Sequence, residues 1–179
     1  MKIGLCGTMS VGKTTLVNAL KELEEFEGYI TRTERSQHLM SLGIPLNTDS
    51  TLKGQTIFLA ERASELMNKA IITDRTVLDV MAFAHCSNSM NYVEKENFVQ
   101  LAACLIHEYD YIFYVSPEGV DIEDNGVRET DAKYRQLIDN SIRYFISRYG
   151  PRIKNLIQIK GTTEERIRVI QETLSPQYV

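Results

Sequence analysis

At 179 residues, with 43% apolar and 25% charged side chains, the chain has the length and composition of one globular domain with a sizeable core. Its formal charge of −4 argues against a nucleic-acid surface, and no apolar run approaches the roughly 18 residues of a membrane span. Cys6, Cys86 and Cys104 form no Cys-x-x-Cys pair and His38, His85 and His107 show no metal-ligand spacing, so buried, reduced thiols in a cytoplasmic protein are expected and a structural metal is not.

Taken in chain order, short apolar runs alternate with amphipathic ones. Lys2–Cys6 reads as a buried strand, too short an apolar stretch for a signal peptide. Lys13–Glu25 reads as a helix with Leu16, Leu20 and Leu23 on one face. Tyr29–Thr33 is a weak strand, and a short helix from Glu34 should stop near Gly43 and Pro45. Asp49 or Ser50 can cap a long helix to about Lys69, with Ile57, Ala60, Ser64 and Met67 as its apolar stripe. Ala70–Thr73 is a strand, followed by helices over Val77–His85 and Glu94–Glu108. Tyr111–Val115, YIFYV, is the clearest strand, and residues 116–130 form a polar loop. Asp131–Tyr149 is a helix with Tyr134, Leu137, Ile138, Ile142, Phe145 and Tyr149 inward. Leu156–Ile159 is a last strand, and Thr162 or Thr163 caps a helix to about Leu174. The alternation predicts an α/β fold: a parallel five-stranded sheet with helices on both faces, as one domain over residues 1–179.

The stretch Gly7–Thr14, GTMSVGKT, fits G-x-x-x-x-G-K-[ST] and stands between the first strand and the first helix. Glycines there let backbone N–H groups converge on a phosphate, and the helix adds its positive dipole end. Gly7, Gly12, Lys13, Thr14 and Thr15 are the residues expected to hold ATP or another nucleoside triphosphate, with Thr14 also on Mg²⁺. Lys13 is expected to reach the β- and γ-phosphates and to face solvent otherwise.

In an open α/β sheet, ligands collect beyond the carboxyl ends of the strands. Glu34, Asp74, Arg75 and the loop after Ser116 fall there. Phosphoryl transfer to a hydroxyl needs positioning, charge neutralisation and a proton acceptor. Glu34 is assigned as that base, although a helix-start acid would carry the same letter. Asp74, behind an apolar strand, is assigned to Mg²⁺. Arg75 is a phosphate or acceptor clamp, or else the partner of a nearby acid. The loop 116–130 reads as a lid, bringing Arg128 or Arg135 to the transferring group, or as a solvated loop.

TRTERSQH at 31–38, GQTIFLAERASEL at 54–66 and ITDRTVLDVMAFA at 72–84 resemble three successive motifs of the P-loop nucleoside kinases, including the deoxynucleoside kinases and the small domain of the ribosylnicotinamide kinases. The resemblance runs over about residues 1–160. It implies functional positions at Glu34, Gln55, Asp74-Arg75, Asp79 and Phe83, with Gln55, Arg75 and Asp79 touching substrate. Glu34-Arg35 stands where the deoxynucleoside kinases usually have Glu-Pro, and Asp74-Arg75-Thr76 where they have Glu-Arg-Ser. Gln55, Phe58, Phe83 and Tyr92 are candidates to read a base.

The resulting expectation is a small-molecule kinase acting on a nucleoside or nucleotide, compatible with a homodimer. A monophosphate kinase could draw on Arg32, Arg35 and Arg75, and a P-loop ATPase without acceptor is a further alternative. A 5′-hydroxyl polynucleotide kinase conflicts with the acidic balance, and no Asn/Thr-Lys-x-Asp string supports a GTPase.

Overall fold

Strands β1 (Lys2–Cys6), β2 (Ile30–Arg32), β3 (Ile71–Asp74), β4 (Tyr111–Val115) and β5 (Leu156–Ile159) pair in parallel, in the order β2-β3-β1-β4-β5. The computed structural model describes residues 1–33, 35–118 and 132–175. Glu34, Arg128 and all of the loop beyond Glu118 lie outside the described residues.

The sheet is apolar on both faces because both are covered. Ile3, Leu5, Phe113 and Val115 project to one side, against Leu16 and Leu20 of α1 (Lys13–Lys21) and Ile170 and Leu174 of α7 (Thr163–Leu174). Their strand neighbours Cys6, Ile112 and Tyr114 project to the other, as a two-residue period requires. There they meet α3 (Leu52–Glu65), α4 (Val77–His85), α5 (Tyr92–Ala103) and α6 (Ala132–Tyr149). The chain leaves β1 toward β3 and β2, then later crosses back to β4 on the other flank. The carboxyl end of β1 is therefore the switch point at which a crevice opens.

Several boundaries differ from expectation for visible reasons. Helix α1 stops at Lys21, and a 3-10 turn over Glu24–Phe26 follows, which buries Phe26. The cap of α3 is Thr51, whose hydroxyl accepts from the Gly54 amide; Asn47–Asp49 form a 3-10 turn instead. The expected stripe of α3 points outward, with Met67 85% exposed, while Gln55, Leu59, Arg62 and Glu65 turn inward. Polar side chains occupy that inner face because each finds work there, as described below. Helix α5 begins at Tyr92 under a capping box from Asn91 and ends at Ala103. On α6, Leu137 is half-exposed, and Asp139 is buried in its place because Tyr114 donates to it at 2.6 Å. A short α2 (Ser36–Ser41) ends before Gly43, as expected. The cysteines are free, but only Cys6 is buried; Cys86 is half-buried and Cys104 exposed.

Gly4, in the middle of β1, faces the start of α4. A Cβ there would run into the Thr76 methyl and lie 2.9 Å from the Tyr109 ring. Gly4→Ala is therefore expected to lower unfolding stability by about 1–3 kcal/mol, the usual range for overpacking. Equilibrium urea unfolding checks this, and an unchanged midpoint would contradict the packing described.

Candidate active site

The loop after β1 is built around its backbone. Gly7 passes so close to β4 that a Cβ would sit 2.6 Å from the Val115 carbonyl, and Gly12 adopts φ +84°, a region open to glycine. The outer carbonyls of the loop face arginines. Arg135 donates through Nε to Met9 at 3.3 Å and through Nη2 to Ser10 at 3.4 Å, and Arg166 donates to Val11 at 2.6 Å. A trans peptide points its N–H opposite to its C=O. Holding those carbonyls outward therefore aims the amides of Ser10, Val11 and Gly12 at the opposite, inner side. That is a cradle for an anion.

Lys13, the first residue of α1, does not face solvent as expected. It is 6% exposed, and its ammonium donates to the carbonyls of Gly7 at 2.6 Å and Thr8 at 2.8 Å. Burial pulls its pKa down, and the nearby Asp79 and Asp74 carboxylates push it back up. Thr15, two residues on in the same turn, is exposed.

Asp74 ends β3, in register with Leu5 of β1. Its Oδ2 accepts a short hydrogen bond from the Thr14 hydroxyl, while its Oδ1 is buried with no partner. A hydroxyl and an under-satisfied carboxylate side by side are the hard oxygen donors Mg²⁺ takes. No cluster of three or more metal-ligating side chains exists among the described residues. Thr14 and Asp74 suit a Mg-nucleotide.

Asp79, which the resemblance implies touches substrate, sits between the loop and the start of α4. It is fully buried, and both oxygens serve the fold. Oδ1 accepts from the Gly7 amide at 2.9 Å; Oδ2 accepts from the Thr76 amide at 2.7 Å and the Thr76 hydroxyl at 3.0 Å. Thr76 and Asp79 form the capping box of α4. Arg75, just before it, holds φ +88°, rare for a side-chain-bearing residue, and donates its amide to Leu5 at 2.9 Å. This lays its guanidinium over the Phe83 ring, 4.7 Å from the centroid.

Beyond Arg75 lies a narrow pocket, about 30 Å³ in volume. Ser36, Gln55, Phe58, Arg75, Val80 and Phe83 line it. Of the candidates to read a base, Gln55, Phe58 and Phe83 line this pocket, whereas Tyr92 is 76% exposed at the start of α5. Glu34 and Arg128 lie outside the described residues, while Arg135 reaches the loop.

The sequence reading missed two arginines. Arg62, seven residues after Gln55 on the inner face of α3, donates to the Asp74 carbonyl at 3.2 Å and to Glu65 at 2.7 Å. The spacing of Gln55, Arg62 and Glu65 was the available signal, masked by their polarity. For Arg166, the capping box at Thr162 and Glu165 explains the surrounding letters, and no local pattern singles the arginine out.

A family model described as an AAA domain matches residues 2–166. The chain belongs to that family. No curated protein matches the AAA-domain chain by sequence. Among solved structures, it is similar to deoxyadenosine kinase from M. mycoides with products dCMP and a flexible dCDP bound, at TM-score 0.71 and 16% identity, covering 98% of this chain and 99% of that one. It is also similar to the same enzyme with bound dATP, at TM-score 0.67 and 17% identity, covering 98% and 100%. The AAA-domain protein therefore has the P-loop fold of the nucleoside kinases. No helix among its described residues is long and apolar enough to cross a membrane.

The Arg62–Glu65 pair behind Asp74 makes stability pH-dependent. Burial pushes the Glu65 pKa up to about 7, against the pull of Arg62, and Glu61 adds to the rise. The folded chain then keeps a proton that the unfolded chain has released. The associated stability is full below the ordinary carboxylate range and is lost as pH rises toward 7. Between about pH 5 and about pH 8, wild type should lose roughly 1–3 kcal/mol more than Glu65→Gln in urea unfolding. Equal losses in the two proteins would show that Glu65 ionises normally.

Proposed function

We propose that the protein is a kinase that transfers the terminal phosphoryl group of ATP, or a related triphosphate, to a hydroxyl of a nucleoside or nucleoside-like small molecule. The observation that carries this reading is a second pocket placed one residue beyond the metal-side acid. Asp74 faces Thr14 and the phosphate loop, while Arg75 faces Gln55 and Phe83. An ATPase without an acceptor has no use for a buried amide and an aromatic wall at that place. The similar structures, a deoxyadenosine kinase with dCMP and dCDP or with dATP bound, support the same class.

In this reading the inner amides of the loop hold the triphosphate, and Lys13 leaves the Gly7 and Thr8 carbonyls for the β- and γ-phosphates. Thr14 and Asp74 would hold Mg²⁺, which neutralises phosphate charge when bound. Gln55 and the two phenylalanines orient the acceptor, and Arg75 directs it toward the loop. Glu34, two residues before the pocket-lining Ser36, is proposed to take the hydroxyl proton. Arg135 and Arg128 are proposed to stabilise the transferring group. Among the described residues Arg75 is the one cation lining the pocket, and Arg35 is 3.5 Å from Glu61. This favours a neutral acceptor over a monophosphate.

Labelled ATP offered with a panel of nucleosides and monophosphates tests the proposal. Transfer to a nucleoside is expected. Gln55→Ala should raise KM for that acceptor by an amount worth about 1–3 kcal/mol, with KM for ATP nearly unchanged. Glu34→Gln should lower kcat roughly 10²–10⁴-fold. Hydrolysis indifferent to every acceptor, or full activity of Glu34→Gln on all of them, would end the kinase reading.

A further inference from the structure

Helix α7 reaches into the phosphate loop through one side chain. The capping box of Thr162 and Glu165 fixes the start of the helix, and Ile170 and Leu174 pack it on the α1 side of the sheet. This brings Arg166 up behind the loop. It is 4% exposed, and its Nη1 donates to the Val11 carbonyl at 2.6 Å. The same nitrogen would lie 3.1 Å from a Cβ on Gly12, so the guanidinium presses against the turn itself. Its Nε is buried without a partner. Among the described residues no carboxylate forms an ion pair with it; the nearest acid in sequence, Glu165, accepts from the Thr162 amide at 2.8 Å.

A buried cation with one carbonyl for company is expensive to keep. The expense makes sense if an anion joins it on the far side of the peptide it holds. We propose that Arg166 is a positioning residue for nucleotide binding. Its hydrogen bond to Val11 turns the Gly12 amide inward, and its unneutralised charge favours the polyphosphate from behind the loop. The proposal rests on the phosphate-loop half of the function proposed above and not on the identity of the acceptor.

A purely structural arginine and this one predict different results. Removing a structural partner weakens the fold, whereas removing an unpaired buried charge leaves the fold as stable or more so. The experiment is calorimetric titration of Mg-ADP into wild type, Arg166→Met and Arg166→Lys, with urea unfolding of each protein without nucleotide. Arg166→Met should keep the unfolding midpoint or raise it, yet bind Mg-ADP about tenfold more weakly. Arg166→Lys, which retains the charge, should bind within about threefold of wild type. Wild-type affinity in Arg166→Met would overturn the proposal. So would a Met variant that fails to fold, or equal losses of affinity in Met and Lys variants. A chain that binds Mg-ADP in this Arg166-dependent way but phosphorylates no acceptor would sustain the proposal and end the kinase reading. Absence of Mg-ADP binding by wild type would end both.

Discussion

One buried carboxylate holds the two halves of the site together. Asp79 accepts from the first amide of the phosphate loop with one oxygen and from the amide and hydroxyl of Thr76 with the other. Charge-assisted hydrogen bonds of this kind are the strong ones, more so away from water. They join the end of β1 to the start of α4, and α4 carries the Phe83 wall of the second pocket. Arg75 lies between the joined elements, and its left-handed backbone is held by its own amide on Leu5. Strained positions of this sort persist where the surroundings over-determine them. The distance from the phosphate loop to the aromatic wall is therefore set by packed backbone, not by flexible side chains.

The net charge hides the local field. The chain is acidic overall, yet Lys13, Arg75, Arg135 and Arg166 all lie at or around the phosphate loop. Fixed partial and full charges in a partly dry crevice act over short range and are screened less than the acids on the surface. Overall acidity speaks to solubility and to encounters with polyanions. It does not bear on the affinity of one enclosed anion. Helix α3 adds a further connection, since Gln55 in the second pocket and Arg62 on the Asp74 carbonyl ride on the same face of one rigid element.

The strands and the phosphate loop were legible because their physics is local. An apolar run such as YIFYV can only be a covered strand in this context, and Gly7, Gly12, Lys13 and Thr14 are specified by the shape of one turn. What was not legible depends on partners distant in the chain. The inner face of α3 was not legible because burial usually selects apolar residues, and here the Arg62 guanidinium is held by Glu65 and the Asp74 carbonyl. A substrate contact at Asp79 is what the resemblance to the nucleoside kinases implies; the Gly7 amide it accepts from lies 72 residues away in the chain. Arg166 touches a carbonyl 155 residues earlier, and nothing in its neighbourhood announces this.

The posture of Lys13 bears on selectivity. With its ammonium bonded to the Gly7 and Thr8 carbonyls, the loop is closed on itself, and an incoming anion must compete with contacts the protein already makes. Binding is then an exchange, and exchanges carry a threshold. A small ion offers the lysine about what it gives up. A chain of linked phosphates offers the lysine, the inner amides and the Thr14 hydroxyl new partners together, and only their sum clears the threshold. The abundant simple anions of a cell thus gain little from this loop, which keeps it available for the longer ligand without any gate having to open.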